Sequence, residues 1–146
     1  MALRNILIIG DGVLQKRAKE VTEFDARLAQ LLDDMAETMR KADGVGLAAP
    51  QVGILKRVFI IDAGEGLTEF VNPKILKATG SVTSREGCLS IPGENRDIAR
   101  PKTVKVEAQD RLGKKFTAKG SDLFARAVCH ELDHLDGMLF IERAEE

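Results

Sequence analysis

Apolar positions from Leu28 to Met39 recur with a helical period. Leu28, Leu31, Leu32, Met35 and Met39 fall on one face, with Asp33, Asp34, Glu37 and Arg40 opposite. Thr22 followed by Asp25 predicts the start of this helix, and Gly44 its end. Beyond the glycine-rich stretch 44–53 the pattern turns strand-like at Val58–Ile61, at 69–71 and from 75 to about 84. Val104, Val106 and Ala108 then alternate with Lys105, Glu107 and Gln109, the period of a half-buried strand. A turn at 110–113 leads to a return strand over 115–118, as in antiparallel sheet. A second helix is predicted between an N-cap at Ser121 or Asp122 and a stop at Gly137. Leu123, Ala127, His130 and His134 share one face of it. The predicted architecture is α+β, with small antiparallel sheets packed around a central helix.

Length and charge narrow the reading. A chain of 146 residues fits a single domain over 1–146, large enough to fold around one core without disulfides. No window approaches the ~20 apolar residues of a membrane span, and the run Ile6-Leu7-Ile8-Ile9 is too short for a signal-peptide core, so a cytoplasmic protein is expected. A net charge of −1 gives no reason to expect direct binding to nucleic acid. The two cysteines, Cys88 and Cys129, are expected to be unpaired in a reducing compartment, which leaves packing, nucleophilic chemistry or metal ligation to account for them.

The second helix carries both histidines, in the pattern His130-Glu131-Leu132-Asp133-His134. Residues four apart lie one turn up on the same side of a helix, so both imidazoles can reach one cation while Glu131 stands beside it. The plain alternative is a surface helix with two solvated histidines. Against it, Leu123 and Ala127 put the histidines on the inward stripe, where unpaired polar groups are costly. A catalytic metal site commonly has three protein ligands and an open position, and the third could come from Glu142 or a cysteine. Cys88 lies in the glycine- and proline-bounded segment 85–92 and suits late first-row divalent ions. Cys129 precedes His130 and points about 100° away from it, as a small core residue would. Spacing alone suggests zinc.

Three segments together, Gly44-Val45-Gly46-Leu47-Ala48-Ala49-Pro50-Gln51, Glu86-Gly87-Cys88-Leu89-Ser90 and His130-Glu131-Leu132-Asp133-His134, make the sequence resemble the peptide deformylase family. The likeness runs from the Ile6 segment to Gly137-Met138-Leu139-Phe140, most of the chain. It implies a metal-dependent hydrolase that removes the formyl group from the N-terminal formylmethionine of nascent polypeptides, releasing formate. By resemblance, Cys88, His130 and His134 hold one divalent ion, Fe2+ in the cell, with Ni2+, Co2+ or Zn2+ in a purified sample. Glu131 moves the proton from water to the departing amine, and the Gln51 side-chain amide and Leu89 backbone N–H face the oxyanion.

The glycine loop, Gly44, Val45 and Gly46, is expected to pair with the substrate backbone, and Val45, Leu89, Leu123 and Ala127 to receive the methionine side chain. Arg96 corresponds to a family arginine near the substrate backbone, although Gly93-Glu94-Asn95 differs in length from some relatives. The implied partners are N-formylmethionyl peptides of nascent chains and, transiently, the ribosome, with the protein a monomer and no membrane involved. Residues 138–146 follow Gly137, where many family members continue into a C-terminal helix that in some docks on the ribosome. Two other classes share part of the pattern. A zinc metallopeptidase would cleave internal bonds and have no use for Cys88. A catalytically inactive relative would be expected to lack Glu131 or Gln51.

Overall fold

Residues 2–140 are described by a computed structural model. Its elements are α1 (Ala26–Lys41), β1 (Gly46–Ala48), β2 (Val58–Ile61), β3 (Thr68–Thr79), β4 (Val82–Cys88), β5 (Ile91–Arg100), β6 (Thr103–Gln109), β7 (Lys115–Ser121) and α2 (Leu123–Leu135). Single 3-10 turns occupy Gly12–Gln15 and Ala49–Val52. Five strands form an antiparallel sheet in the order β1-β2-β3-β6-β7, and β4 pairs with β5 in a separate ribbon. The small antiparallel sheets around a helix expected from the sequence are present.

β2 shows how the layers are built. All four of its residues are buried. Phe59 and Ile61 face a core shared with Phe70, Val104, Val106, Ala125, Val128 and Leu135, so α2 covers that side of the sheet. Val58 and Ile60 join Leu28, Leu32, Met35, Met39 and Leu47 beneath α1 on the other side. A strand covered on both faces must be apolar throughout, which explains the unbroken run Val58–Ile61. Burying each such side chain contributes about 1.5–3 kcal/mol.

Several boundaries depart from the sequence-based expectation. The segments at 69–71 and 75 to about 84 are not two strands divided at Asn72-Pro73. They are β3 with irregular register between Val71 and Lys74, followed by the separate β4. Asn72 takes a left-handed φ of 50°, and its amide closes the irregularity by bonding both Val21 backbone groups and the Gln109 side chain. α1 starts as expected, Asp25 Oδ1 accepting from the Leu28 N–H at 3.1 Å. α2 does not. Asp122 precedes it with φ 55°, and its side chain makes no capping bond. Gly137 ends α2 with φ 76°, and a Cβ there would lie 2.7 Å from the Gln15 carbonyl oxygen.

Candidate active site and metal centre

β4 and α2 run side by side, and their inward side chains meet in pairs. On β4 the inward positions are two residues apart and on α2 four apart, steps of about 6.6 and 6 Å, so the two elements stay in phase. Cys88 Sγ lies 3.3 Å from His134 Nε2, and Glu86 Oε1 lies 2.9 Å from His130 Nδ1. The ligand atoms that Cys88, His130 and His134 can offer all fall within 4.8 Å of one another. With Nδ1 of His130 engaged by Glu86, its Nε2 is the nitrogen left for a cation. Glu142 lies outside the described residues.

A buried ionic network supports this cradle. Arg100, from the end of β5, grips Glu86 with two nitrogens at 2.9 and 3.0 Å and reaches Asp133 of α2 at 2.7 Å. All three side chains are nearly inaccessible. Burial alone would push Glu86 up, but hydrogen bonds from His130 and Arg100 and their charges outweigh it and hold the carboxyl at about 2. Glu86 is therefore ionised, anchoring the imidazole from behind. The histidines are pulled apart. Burial, the charge of His130 and that of Arg100 lower His134 to about 3. Burial also lowers His130, but Cys88, Glu86 and Glu131 more than offset it and raise it to about 10. A proton and a metal cation therefore compete for one electron-rich cradle.

Glu131 is held against Gly46, the first residue of β1. Burial pushes it up to about 7; the charge of Glu86 adds to this and those of His130 and Arg100 oppose it. Its Oε1 is buried with no hydrogen-bond partner among the described residues, as is Nδ1 of His134. An orphaned carboxylate oxygen beside a Cys–His–His set suits a site that handles a cation and water. The close approach of Glu131 depends on Gly46, where a Cβ would sit 2.6 Å from Glu131 Oε2.

Gln51 is oriented by its own 3-10 turn. Its Oε1 accepts from the Ala48 N–H at 2.9 Å, which turns Nε2 toward Ser90 Oγ at 3.1 Å and Cys88 Sγ at 3.7 Å. Leu89 and Ser90 form the two-residue turn between Cys88 and its partner Ile91. In front lies an open cleft of about 410 Å³, walled by Gly44, Val45, Gly46 and Gln51 on one side, the β4–β5 ribbon with Leu89 on another, and Leu123, Ala127, His130 and Glu131 of α2. Val45 and Leu123 are the exposed apolar side chains at its mouth. Arg96 is not among the lining residues; it pairs at 2.6 Å with Glu94, which is. Cys129 is in the core behind α2. Sequence reasoning missed Glu86, Arg100 and Asp133 as a unit, because separate charged residues read as surface until tertiary contacts unite them. Ser90 and Arg126, which also border the site, gave no signal of their own.

Comparison with known proteins agrees with this geometry. The family model described as polypeptide deformylase matches residues 3–146. A peptide deformylase of Caldicellulosiruptor bescii is 54% identical over 143 residues, spanning 98% of this chain and 86% of that protein. The crystal structure of peptide deformylase from Thermotoga maritima superimposes with a TM-score of 0.96 at 43% identity, covering 99% of each chain. One from Synechococcus elongatus, in complex with actinonin, gives 0.94 at 42% identity, covering 98% of this chain and 79% of that one.

Proposed function

The chain belongs to the peptide deformylase family, enzymes that remove the formyl group from the N-terminus of nascent polypeptides, and we propose that it does so in the cleft between β1, α2 and the β4–β5 ribbon. In this reading Cys88, His130 and His134 hold the single divalent ion. The observation that carries it is the convergence of one sulfur and two imidazoles within 4.8 Å, from elements otherwise far apart in the chain. The ion, when bound, supplies Lewis-acid activation of water and of the formyl carbonyl. Thiolate and imidazole suit late first-row metals. The choice of iron(II) in the cell, with nickel, cobalt or zinc as substitutes, follows the resemblance of the three motifs to the family.

The remaining work falls to the protein. Glu131, held near neutrality, takes the proton from water and returns it to the departing amine. The Gln51 amide N–H and the Leu89 backbone N–H donate to the oxyanion that forms on the formyl carbon. β1 is an edge strand paired only with β2, so an extended peptide can add to it through the loop containing Gly44 and Gly46. The first side chain then rests against Val45, Leu89, Leu123 and Ala127. Arg96, on the outer rim, meets the peptide beyond that residue. The same reading makes the enzyme a cytoplasmic monomer that contacts the ribosome transiently. A chain with just two cysteines suits a reducing compartment, and among the described residues no helix is long and apolar enough to cross a membrane.

The test is formate release from formyl-Met-Ala-Ser by anaerobically purified protein, with metal analysis of the same sample and an internal peptide bond as control. One equivalent of metal and formate release are expected. Glu131→Ala should keep the metal while slowing turnover about 10²–10⁴-fold. Cleavage of the internal bond without formate release would instead mark a metallopeptidase.

A further inference from the structure

The pairing of β4 with α2 has a third step. Two residues before Glu86, Ser84 Oγ accepts a hydrogen bond of 2.7 Å from Nη1 of Arg126, one turn before His130. The successive pairs are thus Cys88–His134, Glu86–His130 and Ser84–Arg126. Arg126 is half-buried and lines the cleft between Leu123 and Ala127, the residues that form its apolar wall. The other buried guanidinium here, that of Arg100, is met by two carboxylates. Arg126 makes one hydrogen bond to a neutral hydroxyl and, among the described residues, no ion pair. A guanidinium has five N–H donors, so the wall receiving the first side chain presents a charged donor group with capacity to spare.

A methionine thioether is only a weak acceptor and uses little of that capacity. Oxidation to the sulfoxide makes the side chain polar and gives it a strong acceptor oxygen, which a purely apolar pocket would reject. We propose that Arg126, held by Ser84, is a specificity-determining residue that lets the cleft accept first side chains ending in an acceptor oxygen, formylmethionine sulfoxide in particular. Chains whose first residue has been oxidised before processing are then still deformylated. This inference rests on the deformylase reading of the cleft.

The experiment compares kcat/KM for formyl-Met(O)-Ala-Ser and formyl-Met-Ala-Ser in metal-loaded wild type and Arg126→Leu. Wild type should process the sulfoxide within about tenfold of the thioether, and Arg126→Leu should lower that ratio by a further tenfold or so, the loss of a charged hydrogen bond to substrate. Arg126→Lys should fall between. Where thermal unfolding shows Arg126→Leu to be misfolded, Arg126→Gln is judged by the same ratio. Discrimination against the sulfoxide beyond about a hundredfold in wild type, or an unchanged ratio in the variant, overturns the proposal. Failure of wild type to release formate from either peptide would overturn the deformylase reading itself, a distinguishable outcome.

Discussion

Cys88 and Cys129 are the same residue type in two environments, and exchanging each for alanine should separate chemistry from packing. Cys88 stands 3.3 Å from His134 in the cradle, whereas Cys129 packs between α2 and the five-stranded sheet. Cys88→Ala is expected to lose bound metal and activity together. Cys129→Ala should keep both and lose about 1 kcal/mol of stability, as checked by metal analysis, formate release and denaturant unfolding. Gly46 offers a second residue-level test. Because a Cβ there would press on the Glu131 carboxylate, Gly46→Ala should retain metal while kcat falls about a hundredfold, the usual effect of displacing a reacting group by an ångström. An alanine variant with normal kcat would show that the contact relaxes without consequence.

Among elements, α2 and the ribbon depend on each other through Arg100. Arg100→Met leaves Glu86 and Asp133 without the guanidinium between them, so the variant should lose about 3–5 kcal/mol, seen as a lower midpoint in urea. His130 should also hold metal more weakly, since its backing carboxylate is no longer fixed. An unchanged urea midpoint would mean the carboxylates find other partners. The same elements mark how far the sequence could be read. Both helices and β6 were legible because each has a buried face with a regular period, and β2 because it is an unbroken apolar run buried on both faces. β5 was not, since Pro92 through Asp97 are all exposed and a two-stranded ribbon imposes no alternation on them. β1 is three residues long, shorter than any periodicity can register. The Cys–His–His set and Glu131 were legible as motifs, while Glu86, Arg100, Asp133 and Arg126 became a site only when β4 and β5 were laid against α2.

Across the whole molecule, residues 2–9 lace separate parts together. The Ala2 N–H and the Arg4 guanidinium bind Asp34 of α1, the Arg4 N–H binds Thr38, the Leu7 N–H binds the Gln51 carbonyl and the Ile9 N–H binds that of Ser90. Asp34 is held below the usual carboxylate range first by the Ala2 N–H, then, against the opposing effect of burial, by Gln30 and Arg4. A depressed folded-state value means that its contribution is complete above the ordinary carboxylate range and is lost as acid protonates it. Wild type should therefore exceed Asp34→Asn in Tm at about pH 6, and the gap should narrow toward about pH 3. A gap independent of pH would show that the charge of Asp34 contributes nothing.

The contacts that close the cradle join residues 46 and 44 positions apart, and α2, which carries both imidazoles, follows β4 and β5 in the chain. During translation, then, the sulfur leaves the exit tunnel well before the two imidazoles do. A copy cut short before α2 holds the sulfur of the Cys–His–His set without its two imidazoles. Assembly of the cradle therefore waits until synthesis has passed through α2.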